Sequence, residues 1–591
     1  MGRLKGAEII VEYLVKEGVP YAFGLCGHGI IGLLDVLYDY RDRIKTVSVH
    51  HEAAAGFMAD AYFRVAHRPV VTFTSCGPGS TNLLVAAGSA LMDSSAFLAI
   101  TGNIPTSQFG RGPFQELGRH YQADFPTAMR PYVKRSFQAT RPDQLPLMLR
   151  QAFAAMLTGR PGPVQLDVPL DVFVETADVD VPDPELWRAG LRPRPGASPE
   201  EVDWALDLLM AAERPVIVAG HGLELADATD SLSRVAGAFL LPVVNTPLGK
   251  GTFDMRHPLS LGTIGRNGTY PANQAARNAD VILALGTRFD DRTTSSWLPG
   301  YTFNIPPARL IHVDIDPQEL GRNYPPTLGI VADAGVFLDQ LHRRGLERGW
   351  ADHLNHRPWL DQIQDWKRVW EERVAPRRTS DTVPIRPERL LADLRAVLPE
   401  DGILLADVGL HHNWVVQEWV AYGPRTVLQS WGFAAMGFGV CGALGAKLAA
   451  PDRPVVAVVG DGGFLMYAGA VATAVEYDIP VVWVVWNNYG YVSIRDQQFG
   501  YFGAGRELAT SFRLERTGEL FSPDYAALAR SMGAEGTVIE RPADLAPALE
   551  AAIRSRRPWV LDVRVDREAR PPATGSWALP PLPHPEPDFE G

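Results

Sequence analysis

The chain has 591 residues, enough for about three or four domains with several buried cores, and it carries 56 basic against 68 acidic residues for a net charge of −12. A diffuse acidic excess offers a polyanion no basic face, which excludes nucleic acid as the expected partner. The three cysteines, Cys26, Cys76 and Cys441, form no CxxC and no Cys/His cluster at zinc spacing, which excludes a disulfide scaffold and favours a reducing compartment.

From Met1 to Gly18 charged residues interrupt apolar positions at helical spacing, so no signal-peptide core is expected. No apolar run reaches membrane-spanning length, and the expectation is a soluble cytoplasmic protein. Short apolar runs then alternate with amphipathic stretches, the pattern of doubly wound parallel α/β sheets, and this texture occurs three times. A first domain over 1–174 carries strands at Tyr21–Leu25, Lys45–Val49, Val70–Thr74 and Ala96–Thr101. A Pro-rich linker over 175–199 leads into a middle domain over 200–345, with strands at Pro215–Ala219, Val281–Leu285 and Leu310–Val313. A partly helical connector over 346–382 precedes a third domain over 383–565, with strands at Gly402–Ala406, Val455–Val459 and Pro480–Trp486. The Pro-rich tail over 566–591 is expected to be either disordered or laid across a surface.

The chemistry concentrates in the third domain. The strand Val455–Val459 ends in Gly460-Asp461-Gly462-Gly463, a helix is expected over Phe464–Tyr477, and the next strand ends in Asn487-Asn488. A right-handed βαβ unit places both strand ends on one edge of the sheet, so Asp461 and Asn488 are expected to meet there. Glycines let backbone amides approach a phosphate, while Asp and Asn oxygens suit a hard cation such as Mg²⁺. The predicted ligand is a Mg-bound diphosphate.

A GDG followed 26 positions after its Asp by Asn-Asn is similar to the diphosphate motif of thiamine diphosphate (ThDP) enzymes, and further segments extend the likeness over nearly the whole chain to the large subunit of acetolactate synthase. Val47-Ser-Val-His-His-Glu52-Ala-Ala-Ala-Gly-Phe-Met-Ala-Asp-Ala-Tyr62 resembles the family segment whose glutamate bonds N1′ of the aminopyrimidine, which implies that role for Glu52. A carboxylic acid at N1′ favours the imino tautomer, whose 4′-nitrogen removes the C2 proton of the thiazolium. Thr74-Ser-Cys-Gly-Pro-Gly-Ser-Thr-Asn82 is similar to a turn lining the pyrimidine, implying contacts from Gly77, Pro78 and Asn82, with Cys76 a departure from the pattern. Gly112-Pro-Phe-Gln-Glu116 resembles a segment that places Phe114 and Gln115 near substrate. Trp431-Gly-Phe-Ala-Ala-Met-Gly-Phe-Gly-Val440 resembles the turn whose methionine, here Met436, wedges between the two rings of the cofactor. The resemblance implies metal ligation by Asp461, Asn488 and the carbonyl of Gly490. It also implies a homodimer or homotetramer in which Glu52 of one copy and Asp461 of another serve one cofactor at the dimer interface.

The middle domain resembles the flavin-binding domain of acetolactate synthases through Leu261–Tyr270, Leu285–Arg292 and His312–Pro317, and Arg160 also matches a flavin contact. This implies a non-redox FAD held by Arg160, Gly286, Arg288 and Phe289, with Asp314 or Asp333 on ribose hydroxyls. No GxGxxG follows a strand there, which argues against a nicotinamide reductase. The implied activity is decarboxylation of a pyruvate-like 2-oxo acid and transfer of the acyl carbanion to a second carbonyl. Two departures qualify it. Phe23-Gly-Leu-Cys-Gly-His-Gly29 puts His28 where acetolactate synthases have a turn without histidine, making it a candidate second acid/base and opening an alternative, cleavage or hydrolysis of a 1,2-dicarbonyl or 2-hydroxyketone. Tyr489–Gln498 replaces a family loop that carries Met and Trp, so Ser493 and Gln497 suggest a more polar acceptor pocket, and Arg495 is either a carboxylate contact or a solvated helix face. His50 and His51 are expected to be structural.

Overall fold

The computed structural model describes residues 2–116, 124–188, 194–352 and 354–589; parts of the expected linker and of the tail end lie outside the described residues. Strand β1 (Gly2–Lys5) precedes a six-stranded sheet of β2 (Tyr21–Gly24), β3 (Lys45–Ser48), β4 (Val71–Thr74), β5 (Leu98–Asn103), β6 (Arg135–Gln138) and β7 (Val164–Pro169), and pairs antiparallel with β8 (Thr176–Val179) just beyond it. The middle sheet comprises β9 (Pro215–Ala219), β10 (Val243–Asn245), β11 (Ser260–Thr263), β12 (Val281–Leu285), β13 (Arg309–Asp314) and β14 (Leu328–Val331). The third holds β15 (Ile403–Ala406), β16 (Val427–Gln429), β17 (Val455–Gly460), β18 (Val482–Asn487), β19 (Glu535–Ile539) and β20 (Trp559–Arg564). All pairings inside these three sheets are parallel, and runs such as Val455–Val459 are buried throughout because helices cover both faces.

The strand orders decide where ligands sit. The first sheet runs β3-β2-β4-β5-β7-β6 and the third β16-β15-β17-β18-β20-β19, the same connectivity, whereas the middle sheet runs β11-β10-β9-β12-β13-β14, the dinucleotide-fold order. The direction of strand succession therefore reverses between β2 and β4, between β9 and β12, and between β15 and β17. At each reversal the loops leaving the strand ends part and open a crevice.

The first and third domains join through equivalent helices, Glu52–Ala66 after β3 and Phe438–Ala449 after β16. Both are rich in alanine, a strong helix former whose small side chain lets backbones approach. A Cβ on Gly445 would lie 1.9 Å from the Met58 carbonyl oxygen, so the crossing admits no side chain there. Beside it the fully buried Arg64 donates to Asp60 at 2.7 and 3.1 Å, to Asp93 at 3.2 Å and to the Gln429 carbonyl at 2.6 Å.

One expectation is revised and one open alternative is resolved. The single helix over Phe464–Tyr477 is divided into Asp461–Met466 and Gly469–Glu476, because Tyr467 leaves helical geometry to pack its ring on Phe57 and His51. The tail takes the second of its two predicted states: Thr574 donates to the Gly268 carbonyl at 2.7 Å, the Ser576 amide to Ser295 Oγ at 3.1 Å, and Phe589 packs on Tyr270 and Trp370. Trp370 lies on the connector helix Arg357–Val374. Among the described residues no helix is long and apolar enough to cross a membrane. Gly445→Ala is expected to destabilise the junction by roughly 1–3 kcal/mol or more, read as a lowered thermal unfolding midpoint.

Candidate active site

In the first domain, Glu52 opens the helix that follows β3, with His51 as its N-cap accepting the Ala53 amide on Nδ1 at 3.1 Å; His51 is thus structural, as expected. Glu52 is 7% exposed and accepts a hydrogen bond from Asn82 Nδ2 at 2.9 Å. The turn carrying Asn82 approaches closely enough that a Cβ on Gly79 would lie 3.2 Å from Glu52 Oε1. Gly77 has φ +59°, and a Cβ there would come within 1.8 Å of the Gln115 carbonyl, so only glycine brings the Pro78–Asn82 turn against the Gln115 loop. Gln115 itself is exposed at φ +65°. His28 sits on the same crevice: its Nε2 is 3.4 Å from Cys76 Sγ, and its ring is 5.9 Å from that of Phe114, which is 78% exposed. The turn is pinned by the Gly29 amide donating to Ser75 Oγ at 3.2 Å.

In the third domain, Asp461 is 2% exposed; its Oδ1 accepts the Gly462 amide at 2.8 Å and its Oδ2 the Gly490 amide at 2.9 Å. Burial pushes its carboxyl up to about 7, the mark of an anion lacking a counter-charge. Asn488 lies beside it at 5% exposure, with no side-chain hydrogen bond to the described residues. The glycines are sterically required: a Cβ on Gly462 would strike the Tyr491 ring at 2.3 Å, one on Gly463 would lie 2.5 Å from Asp407 Oδ2, and one on Gly490, at φ +136°, would meet the Thr510 carbonyl at 2.2 Å. Asp407, at the end of β15, accepts the amides of Gly437 at 2.9 Å and Gly439 at 3.1 Å and so fixes the turn that presents the half-buried Met436.

Motif reading passed over His411. Its ring is buried against Gly460, with Nε2 unpartnered among the described residues, and burial pulls its pKa down to about 4, so a neutral imidazole faces the glycine turn. Its signal was the Asp407-Val-Gly409-Leu-His411 run after a strand, a glycine turn with a polar residue at a strand end. Within one chain no hydrogen bond, ion pair or ring contact among the described residues joins Glu52, Asn82 or Gln115 to Met436, Asp461 or Asn488.

The middle crevice is a cavity of about 590 Å³, within the usual ligand range of about 300–1,000 Å³. Gly222 and Gly286 touch across its base, where a Cβ on Gly222 would lie 2.6 Å from Gly286 Cα. Arg160, Gly286, Arg288, Asp314 and Asp333 all line it. Arg160 is held by Ser94 Oγ at 2.8 Å and Glu319 at 3.1 Å, and Asp333 caps the helix Ala334–Glu347. Asp314 commits Oδ1 to the Asp316 amide at 2.9 Å, leaving an oxygen for the cavity. Phe289 differs from expectation: its ring is buried among Phe303, His312 and Tyr324 and is absent from the lining, because its φ of +53° turns it into the domain core. Arg495 is likewise no free carboxylate contact, since Glu568 and Asp496 hold its guanidinium at 2.8 to 3.4 Å.

Family models of the thiamine pyrophosphate enzyme match in three pieces: the N-terminal TPP binding domain over residues 4–123, the central domain over 202–341 and the C-terminal TPP binding domain over 407–563. Over 578 residues the chain is 35% identical to a probable acetolactate synthase large subunit of Methanocaldococcus jannaschii, covering 95% of this chain and 92% of that one. It is 33% identical over 573 residues to the acetolactate synthase isozyme 3 large subunit of Escherichia coli, covering 96% of each, and 33% identical to the acetolactate synthase large subunit of Corynebacterium glutamicum over 96% of this chain and 88% of that one. The chain belongs to the thiamine diphosphate enzyme family.

For a thiamine diphosphate enzyme the third-domain crevice has the required donor set. One buried carboxylate, one unengaged carboxamide and the Gly490 carbonyl suit Mg²⁺, which prefers oxygen and keeps positions for phosphate and water. Among the described residues no group of three His, Cys, Asp or Glu offers a rival metal site. The middle cavity suits a dinucleotide, with Arg288 for a diphosphate and Asp314 for a ribose. A nicotinamide site would carry a ribose-binding acid about 20 residues beyond the first glycines; the corresponding strand β10 ends in Asn245, whose amide is bonded to Gly249 and Thr252. Asp461→Ala is expected to abolish Mg²⁺-dependent ThDP binding in calorimetric titration while the protein stays folded; unchanged affinity would contradict the donor set.

Proposed function

We propose that the chain is a ThDP- and Mg²⁺-dependent carboligase of the acetolactate synthase type, which decarboxylates a pyruvate-like 2-oxo acid and joins the remaining acyl unit to a second carbonyl compound. The observation that carries this reading is the pairing of a buried Glu52–Asn82 hydrogen bond at one crevice with the buried Asp461, Asn488 and Gly490 group at the equivalent crevice of a matching sheet. The large-subunit relatives at 33–35% identity over nearly the whole chain support it.

Bound ThDP would supply the nucleophilic carbon that adds to the 2-oxo carbon and the thiazolium ring that takes up the electron pair released when CO₂ leaves. The chain's residues do the rest. Glu52 holds a proton against ring nitrogen N1′, and Asn82 orients its carboxyl. Met436, braced through Asp407, would pack against the rings of the cofactor. Asp461, Asn488 and the Gly490 carbonyl bind Mg²⁺, and His411 donates to the diphosphate beside Gly460. Gln115 and Phe114 line the substrate side. The C1–C2 bond of the 2-oxo acid breaks, its electron pair makes the new C–C bond to the acceptor carbonyl carbon, and the acceptor oxygen takes a proton.

Two further assignments belong to this reading. A second copy of the chain supplies Glu52 to each Asp461, and the apolar Leu465 and Met466, 41% and 49% exposed just after the glycine turn, give that copy a surface to cover. The middle cavity holds FAD as a structural group, with Arg160 and Arg288 at the diphosphate and Asp314 at a ribose. The protein acts in the cytoplasm, in keeping with three unpaired cysteines.

The His28–Cys76 contact favours a second reading, in which His28 handles the proton in cleavage or hydrolysis of a 1,2-dicarbonyl or 2-hydroxyketone. The test is incubation with ThDP, Mg²⁺ and pyruvate, alone and with a panel of carbonyl acceptors, following CO₂ and product mass. Carboligation predicts CO₂ with a new C–C product, abolished by Glu52→Gln with ThDP affinity retained. No CO₂, with cleavage of a diketone that His28→Ala removes, establishes the second reading instead.

A further inference from the structure

Two of the three cysteines lie on one crevice. β2 and β4 are neighbouring parallel strands with Ala22 opposite Val71 and Gly24 opposite Phe73, and carrying that register two residues further sets Cys26 opposite Ser75, one residue from Cys76. The segments beyond the strands stay in contact. A Cβ on Gly27 would lie 2.4 Å from Ser75 Cβ, one on Gly29 would lie 3.0 Å from the Cys76 nitrogen and 3.2 Å from its Sγ, and the Gly29 amide donates to Ser75 Oγ at 3.2 Å. Adjacent parallel strands run about 4.7–4.9 Å apart, and disulfides span Cα separations of about 4.4–6.8 Å. Cys26 stands in Gly24-Leu-Cys-Gly-His-Gly29, where the glycines give the backbone freedom to swing a side chain towards its neighbour.

The two thiols differ. Cys26 is exposed, whereas Cys76 is 1% exposed, and burial pushes its thiol up, so it stays protonated at neutral pH. His28 Nε2 lies 3.4 Å from Cys76 Sγ, within reach of the thiol proton. The trio holds what a two-step oxidation needs: an accessible thiol for the oxidant, a second thiol shielded from it, and a base beside the second. The third cysteine, Cys441, is fully buried in the helix Phe438–Ala449.

The position gives a bond between them a consequence. Cys76 immediately precedes Gly77 and the Pro78–Asn82 turn, whose Asn82 donates to Glu52 at 2.9 Å. We propose that Cys26 and Cys76 form a reversible thiol switch on the first-domain crevice, closed by hydrogen peroxide and opened by a reducing dithiol. The Cys26 sulfur takes one oxygen of the peroxide to become a sulfenic acid, and water leaves. Cys76 then gives its proton to His28 while its sulfur attacks that of Cys26; the S–O bond breaks, and the departing hydroxide takes the proton as a second water. Two thiols are oxidised by two electrons in all, and one peroxide is reduced to two waters. Closing the bond draws Cys76 off His28 and moves the turn that orients Glu52. The linkage itself stands apart from the proposed function; only its effect on turnover rests on that reading.

The test exposes the protein, loaded with ThDP and Mg²⁺, to hydrogen peroxide, blocks the remaining thiols, digests the chain and measures peptide masses. The expected product is a linked pair of peptides carrying Cys26 and Cys76, two hydrogens lighter than their sum, with Cys441 recovered as a blocked thiol and the link undone by dithiothreitol. Cys26→Ser should abolish the link, and Cys76→Ser should leave a sulfenic acid at Cys26 that dimedone traps. CO₂ release should be lost in proportion to the fraction linked and return with dithiothreitol, while Cys26→Ser keeps its rate through the same treatment. An oxidised Cys26 beside a free Cys76 in the unsubstituted protein, a link between the Cys26 residues of two copies, or a linked protein that decarboxylates at the full rate overturns the proposal. A reduced protein that releases no CO₂ from pyruvate counts against the proposed function alone and leaves the peptide masses to decide the linkage.

Discussion

One buried guanidinium ties the molecule together. Arg64 is held by Asp60 and Asp93, all three nearly inaccessible, and from the first domain it reaches the Gln429 carbonyl of the third. Asp93 in turn accepts the amides of Trp431 and Gly432 at 2.9 and 2.8 Å and lies 3.8 Å from Arg288 of the middle domain. Removing one member would strand charge in the interior at a cost of about 3–5 kcal/mol. The cluster also sets position, because the segment it grips leads directly to Met436, and Asp93 and Trp431 form a wall of the middle cavity.

Around that anchor three crevices share one architectural rule. Each opens where strand order reverses, and each is lined by the loops that leave the two flanking strands. The first and third domains repeat one connectivity and pack through corresponding helices, but their crevices carry complementary chemistry: a carboxyl with an amide partner in one, a buried carboxylate among backbone amides in the other. On the proposed function, distinct residues on one framework serve the two ends of a single cofactor. The middle domain, with a different strand order, has the arrangement suited to a dinucleotide.

What was legible in the sequence was local. Gly460–Gly463 with Asn487-Asn488, and Glu52 behind two histidines, are short strings whose chemistry follows from adjacency at a strand end. Elements buried on both faces, such as β17 and β12, announced themselves as unbroken apolar runs. What was not legible depends on chain segments far apart. His411 matters because Gly460 lies against it, and Asp407 because it reaches Gly437 and Gly439. Phe289 reads as a cavity residue by motif, yet a left-handed backbone turns it inward. The break at Tyr467 comes from its packing against Phe57 of another domain, which no local propensity encodes. The tail offered no periodicity, yet its hydrogen bonds and rings bind it to the middle domain.

On the proposed function, one active site is built from Glu52 of one copy and Asp461 of another. That sharing is tested most directly by mixing two separately inactive variants, Glu52→Gln and Asp461→Ala, under conditions that exchange subunits, with the 2-oxo acid that the unsubstituted enzyme decarboxylates. A shared site predicts that CO₂ release returns on mixing, because each mixed dimer assembles one site free of both substitutions. A mixture that exchanges subunits yet stays as inactive as its components would contradict the account.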